Sequence, residues 1–129
     1  MLETYPAGGT KNFIHGIDYQ KLWLLLFLIR VCAVDKGCPF YLATEMRSAA
    51  GFDDIVFQDR QNGKTKFIQI KHKRDGHDKI SVDDLLTQGK KSKFGLAKYF
   101  AAYFKTENSA EFSGGVKDFV VATNINFDF

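Results

Sequence analysis

Three polar residues in two neighbouring apolar segments have the chemistry of a metal site. Asp54 directly precedes the apolar run 55–57, and Gln69 and Lys71 alternate with apolar residues in segment 64–73. A Gln or Lys inside an apolar strand is unfavourable unless a partner satisfies it. A carboxylate and an amide oxygen suit a hard cation such as Mg²⁺. Beside that cation, Lys71 could orient or help deprotonate an attacking water, or hold phosphate charge in a transition state.

A β-hairpin is the element that must bring these residues together. Residues 52–59 and 64–73 are both strand-like, and Asn62-Gly63 between them is a strong signal for a tight turn. Because side chains alternate along a strand, Gln69 and Lys71 share one face and His72 lies on the other. The sequence therefore predicts an antiparallel pair with an acid on one strand beside Gln and Lys on its neighbour.

The remaining segments predict helices and further strands around this hairpin. A long helix is expected before it, including the apolar run 22–29, which is too short to cross a membrane and is predicted to be buried on most sides. The last strand is apolar enough to be predicted as central in a sheet. The predicted elements are a helix at 14–34, strands at 40–46, 52–59 and 64–73, a helix from the capping box of Ser81 and Asp84 to about 88, a helix at 96–105 and a strand at 118–124.

The composition is that of one α/β domain, residues 1–129, with a central mixed four-stranded sheet flanked by helices. Its formal net charge of +3 is compatible with nucleic acid and equally with simple solubility. Cys32 and Cys38 are interpreted as reduced, semi-buried thiols of a cytoplasmic protein. The three histidines have no metal-ligand spacing, so a zinc site is not expected.

The pattern of Asp54, the hairpin and Gln69-x-Lys71 resembles the PD-(D/E)XK nuclease superfamily in its D…QxK form. The element order also resembles the restriction-endonuclease-like αβββαβ core of that superfamily, over roughly residues 14–124. Segment 16–26, GIDYQKLWLLL, resembles the leading helix of N-terminal effector nuclease domains in anti-phage defence proteins. The expected domain is therefore the N-terminal part of a longer protein. Its apolar end at Phe129 suggests the same, with a native terminus left open as the alternative.

The resemblance implies a DNA endonuclease that needs Mg²⁺ or Mn²⁺, acts on double-stranded DNA and forms the effector part of a defence or toxin protein. Asp54, Gln69 and Glu45 would then be metal ligands, and Lys71 the catalytic lysine. Gln20 on the first helix would support the site. Further domains of the same chain are expected as partners, and a homodimer is left open.

Two of these residues also have a simpler interpretation, and Gln69 departs from the pattern of the family. Glu45 could pair only with Lys71 or Arg47, and Gln20 could be a packed polar residue with a backbone partner. Gln69 stands where many members of the family have Glu, so a catalytically inactive module for nucleic-acid binding or dimerisation stays open, as does an RNase with the same site. Asp53 is expected to be a solvated or structural acid.

Basic residues that follow the third strand predict an edge for nucleic acid, although an ordinary solvated surface explains any one of them. The aromatic residues of the helix at 96–105 are most simply core. The basic residues are Lys73, Arg74, Lys90, Lys91 and Lys93, and the aromatic residues are Tyr99, Phe100, Tyr103 and Phe104.

Overall fold

The computed structural model describes residues 8–34, 37, 39–72, 78–89 and 92–128, with side chains from residue 16 onwards. The described part of the chain has mixed α/β structure, as predicted. Its helices and strands, in chain order, are α1 (Gly8–Val34), β1 (Phe40–Ala43), β2 (Ile55–Asp59), β3 (Thr65–Lys71), β4 (Lys79–Ser81), α2 (Val82–Leu86), α3 (Leu96–Glu107), β5 (Val116–Thr123) and β6 (Asn126–Asp128). Two short 3₁₀ turns, Arg47–Ala49 and Ala110–Phe112, lie in the loops.

The main sheet has four strands in the order β1-β2-β3-β5. The first two pairings are antiparallel and the β3–β5 pairing is parallel, so the predicted mixed four-stranded sheet is confirmed. The prediction of a central last strand is wrong, because β5 lies at an edge of this sheet and β3 lies inside it. The apolar residues of β5 are explained by packing on both faces, Phe119 against one core and Ala122 against the other. A separate parallel pair, β4–β6, was not predicted.

The hairpin between β2 and β3 is confirmed, but its turn is longer than the two-residue turn that Asn-Gly favours. The Asp59 backbone N–H donates to the Lys64 carbonyl at 3.1 Å across a four-residue loop, and Asn62 has no positive φ. Gly63 has φ +70°, a left-handed conformation that glycine adopts at little cost. The Asn62 side-chain oxygen accepts the Lys64 backbone N–H at 2.9 Å, which closes the turn locally. The strands pair with Ile55 opposite Ile68, and this register brings the start of β2 beside the end of β3.

Alternation along the strands divides the apolar residues between the two faces of the sheet. On one face, Phe67 and Phe52 form a core against which Tyr99 and Ala102 of α3 pack. The other face carries a core that includes Ile55, Ile68 and Ala122. Trp23, Leu24 and Phe27 of α1 pack against this second core. The sheet therefore lies between α1 and α3.

Helix α1 is buried on one side only, so the prediction that it is buried on most sides is wrong. Leu22, Leu25 and Ile29 are 65%, 54% and 58% exposed. The sheet covers a single stripe of the helix, and no other described element covers the remainder. Cys32 is also exposed, contrary to the semi-buried position predicted for it, while Cys38 lies outside the described residues. Within the described ranges, no helix combines the length and apolarity needed for a membrane span.

The connection from β3 to β5 contains the two predicted helices, with one correction to their packing. Ser81 and Asp84 form the predicted capping box, although α2 ends at Leu86. In α3, Tyr99 and Tyr103 are half-buried, but Phe100 and Phe104 are 63% and 52% exposed. The prediction that all four aromatic residues are core is therefore wrong for these two, because only one face of α3 meets the sheet.

Candidate active site

Asp54 lies one residue before β2, and its carboxylate joins β3 to α1. Its Oδ2 accepts the Ile70 backbone N–H at 2.6 Å and Gln69 Nε2 at 2.7 Å. Its Oδ1 accepts Gln20 Nε2 at 3.2 Å. Hydrogen bonds to an ionised carboxylate are stronger than those between neutral groups. The hairpin register therefore brings Asp54 and Gln69 into direct contact, as the sequence predicted.

Gln20 is oriented by the packing of α1. Trp23, Leu24 and Phe27 follow it at the i+3, i+4 and i+7 positions of one helix face, and they pack on the sheet. Burial of that stripe directs Gln20 toward the end of β3 and toward Asp54. The structure thus brings Gln20 to the site, while its functional role stays a prediction.

Gln69 is buried, at 8% exposure, and its amide oxygen Oε1 has no hydrogen-bond partner. An unsatisfied buried acceptor typically costs about 1–3 kcal/mol. This oxygen is therefore available to a ligand that enters the cleft. Because the amide nitrogen and oxygen have nearly the same shape, rotation about the terminal bond would turn the oxygen toward Asp54.

A cleft of about 380 Å³ opens at this end of the sheet. Its walls contain five predicted site residues, namely Gln20, Glu45, Asp54, Gln69 and Lys71, together with Lys93. Glu45 lies beyond β1, in the left-handed region with φ +53°. A residue other than glycine pays roughly 1 kcal/mol or more for that conformation, and such strain is concentrated at functional sites.

The charged groups of the cleft have shifted pKa values with identifiable causes. Burial raises the pKa of Asp54 against the opposing effect of the Ile70 N–H, and the negative charges of Asp53 and Glu45 raise it further. Burial lowers the pKa of Lys71, and the positive charge of Lys98 lowers it further. Lys71 therefore loses its proton closer to neutral pH than an exposed lysine does. A pair of groups shifted in this way is typical of functional sites.

The oxygen donors of the cleft fit a hard cation. They comprise the carboxylates of Asp54 and Glu45 and the unpartnered amide oxygen of Gln69. Magnesium is commonly held by one or two carboxylates and retains several waters, so this small donor set is sufficient for it. Among the described residues, no group of three His, Cys, Asp or Glu side chains could hold a metal ion. The amide oxygen of Gln69 would add a third oxygen donor to the carboxylates of Asp54 and Glu45.

Other predicted residues lie at the edge of the cleft or outside the described ranges. Lys93 is exposed and lines the cleft. His72 stacks on the Tyr19 ring of α1 with centroids 4.3 Å apart, as expected of a residue that packs on a helix. Asp53 is half-buried beside the site. The predicted nucleic-acid residues Lys73, Arg74, Lys90 and Lys91 lie outside the described residues.

Two residues near the site were not identified from the sequence. Lys98 lies close enough to lower the pKa of Lys71, and it was not among the candidate residues. Burial, together with the nearby Asp54 charge, raises the pKa of Tyr99 to about 12, although its helical spacing indicated only a core role. Their proximity to the site results from the path of α3 back across the sheet, which no local pattern encodes.

No family model, curated protein or solved structure matches this chain. A functional interpretation therefore depends on the residues and geometry of the chain itself. These are the contact between Asp54 and Gln69, the position of Lys71 in the same cleft, and the mixed sheet that carries them.

Proposed function

We propose that this chain is a metal-dependent nuclease domain of the PD-(D/E)XK type, which hydrolyses phosphodiester bonds in double-stranded DNA. The observation that carries the proposal is the contact between Asp54, which directly precedes β2, and Gln69 of the adjacent strand β3, in a cleft that also contains Lys71. The four-stranded mixed sheet between α1 and α3 is compatible with the restriction-endonuclease-like αβββαβ core. A domain of this type would serve as the cytoplasmic effector part of a larger defence or toxin protein.

The roles of the residues follow from their chemistry. Asp54, Glu45 and the Gln69 oxygen would hold Mg²⁺ or Mn²⁺, which when bound supplies the positive charge that polarises a phosphoryl group and acidifies water. Lys71, half-buried and with a lowered pKa, holds charge on the scissile phosphate or accepts a proton from the attacking water. Gln20 positions Asp54 through its 3.2 Å hydrogen bond.

A specific observation favours the alternative of a catalytically inactive binding or dimerisation module. Gln69 turns its amide nitrogen, not its oxygen, toward Asp54, and this closes the metal site with a hydrogen bond. A neutral amide also binds a cation more weakly than the carboxylate that many family members have there. The two functions differ in one respect: only the nuclease needs the cation for its chemistry.

Cleavage of supercoiled plasmid in Mg²⁺ or Mn²⁺ tests the proposal. The wild type is expected to nick and linearise the plasmid, and EDTA is expected to abolish cleavage. Asp54→Ala and Lys71→Ala should each reduce the rate by about 10²-fold or more, the usual effect of removing one group that stabilises a transition state. Gln61→Ala, in the exposed hairpin turn, serves as the matched control and should cleave like the wild type.

Equal cleavage by all of these proteins, or cleavage that persists in EDTA, would contradict the proposal of a metal-dependent nuclease. A parallel digest of RNA with the same sequence decides the substrate class, since the same groups can hydrolyse either backbone. Faster Asp54-dependent cleavage of RNA than of duplex DNA would replace the DNase proposal with an RNase at this site.

A further inference from the structure

The loop between α2 and α3 carries a lysine shared by two clefts. Lys93 lines the cleft of Asp54 and Lys71. It also lines a second cleft, of about 400 Å³, whose walls include the buried residues Ile80 and Ile125. The charged residues of this second cleft are Lys79, Lys93, Asp78 and Asp84. An extended ligand that occupies both clefts must therefore pass Lys93.

Three hydrogen bonds hold the loop of residues 92–95, one within the loop and two from helix α3. Ser92 is buried, and its Oγ accepts the Gly95 backbone N–H at 2.7 Å. Tyr99 Oη donates to the Lys93 carbonyl at 2.8 Å, and Lys98 Nζ donates to the Ser92 carbonyl at 3.3 Å. The carbonyl groups of Ser92 and Lys93 are thus both held by hydrogen bonds from α3. Lys93 therefore projects from a restrained loop.

Close packing also restrains this loop on the side of α2. A Cβ atom added at Gly95 would collide with the Thr87 carbonyl and with the Ser92 side chain. The Tyr99 ring, whose hydroxyl holds the loop, packs on Phe52 in the core with centroids 5.2 Å apart. The loop therefore packs against the end of α2 at Gly95 and is linked to the core through Tyr99.

The cleft carries both acidic and basic groups. Asp53 and Glu45 raise the pKa of Asp54, and Lys98 and Lys93 lower that of Lys71, while Asp54 and Lys71 also act on each other. The ammonium groups of Lys71, Lys93 and Lys98 repel one another, and an anion placed among them relieves that repulsion. A cation on the acidic side and phosphates on the basic side complement this distribution.

We propose that Lys93 and Lys98 bind the phosphate next to the scissile one, so that the nucleic-acid backbone crosses the 92–95 loop from one cleft into the other. Lys93 contacts the phosphate directly from the restrained loop. Lys98 adds positive charge and holds the loop, and Tyr99 is a positioning residue. The inference rests on the proposed function for the identity of the scissile phosphate, but the binding step needs neither metal nor hydrolysis.

Binding of a fluorescein-labelled oligonucleotide, duplex or single-stranded, in EDTA tests this step separately from cleavage. Lys93→Gln and Lys98→Met should each weaken binding about 10-fold at low salt and reduce the slope of log K against log salt by about 1. Lys98→Arg keeps the positive charge, so its affinity and its salt slope should match those of the wild type. Lys105→Gln, an exposed lysine in the last turn of the same helix, is the matched control.

Tyr99→Phe removes only the hydroxyl, so it should weaken binding severalfold while leaving the salt slope unchanged. If Lys93→Gln and Lys98→Met bind like Lys105→Gln, the inference is overturned, even where Asp54-dependent cleavage is observed. If these variants lose binding but the wild type cleaves nothing in Mg²⁺ or Mn²⁺, the nuclease proposal fails and the phosphate site stands.

Discussion

At the scale of single residues, the candidate site contains ionisable groups whose charged forms are made less favourable by burial. Burial disfavours the ionised form of Asp54 and the protonated form of Lys71. Gln69 adds a buried oxygen without a partner. These three features are unfavourable for the stability of the domain and useful for binding a cation and a phosphate, a trade-off common at active sites.

Asp54→Asn is expected to stabilise the domain at neutral pH. The folded pKa of Asp54 is raised, so its contribution to stability is fully present below the unfolded value of 3.8 and is lost as pH rises through the folded pKa. Above that pKa the ionised carboxylate is a cost that Asn avoids. The gain is at most about 1 kcal/mol, because solvent screens this half-buried group.

Thermal unfolding at several pH values measures this effect. The difference between variant and wild type should be largest at neutral pH and should narrow as pH falls toward 3.8. Asp53→Asn is the comparison variant, because it removes a neighbouring negative charge and leaves the hydrogen bonds that Asp54 accepts from Gln69 and Ile70 in place. It should increase the free energy of unfolding by less than Asp54→Asn does. A variant at Asp54 that is clearly less stable than the wild type at neutral pH would show that the hydrogen bonds outweigh burial.

At the scale of elements, the β2–β3 hairpin does most to assemble the site, and its turn depends on a close contact between two glycines. A Cβ atom at Gly114 would collide with the Gly63 carbonyl, so the hairpin turn rests against the segment that leads into β5. This contact lies at the end of β3 opposite Lys71. The two ends of the strand therefore have different roles, one in packing and the other in chemistry.

Gly63→Ala should destabilise the domain by about 1 kcal/mol, because alanine must adopt the left-handed conformation at φ +70°. Gly63→Asn should cost less, since asparagine tolerates this region better. Denaturant unfolding measures both. Gly16→Ala is the control within α1, where an added Cβ atom meets nothing within 4 Å. It should increase the free energy of unfolding by up to about 1 kcal/mol. Equal stability of Gly63→Ala and the wild type would contradict the observed turn.

Local signals allowed the hairpin and the Asp54–Gln69 pair to be predicted from the sequence. The Asn-Gly signal predicts that the two strands pair, and alternation then determines which side chains share a face, although the four-residue loop and its register were not predicted. The edge position of β5 and the pair β4–β6 could not be predicted in this way. They depend on partners distant in sequence, and strands of three residues, such as β4 and β6, carry no periodic pattern.

At the scale of the whole molecule, a helix–sheet–helix arrangement gives the site one wall from each layer. Gln20 comes from α1, Asp54 and Gln69 from the strands, and Lys93 from the loop restrained by α3. The one-sided burial of α1 could not be predicted from its composition, because apolarity does not reveal what covers each face.

The layered arrangement predicts opposite outcomes for two substitutions in α1. Phe27 packs on the sheet, with its ring centroid 5.2 Å from that of Phe57, so Phe27→Ala should cost about 2–3 kcal/mol. Leu25 is 54% exposed, so Leu25→Gln should change the free energy of unfolding by less than about 0.5 kcal/mol. Urea denaturation measures both, and a large loss from Leu25→Gln would mean that another layer covers this face.

Calorimetric titration with Mn²⁺ tests the central claim most directly, because it requires no substrate. The account predicts one binding site in the wild type, loss of binding in Asp54→Ala, and tighter binding in Gln69→Glu, which replaces a neutral oxygen donor with a carboxylate. Gln61→Glu adds the same charge in the exposed turn and should bind like the wild type. The result that would contradict the account is the absence of binding in the wild type, or equal binding in the wild type and Asp54→Ala.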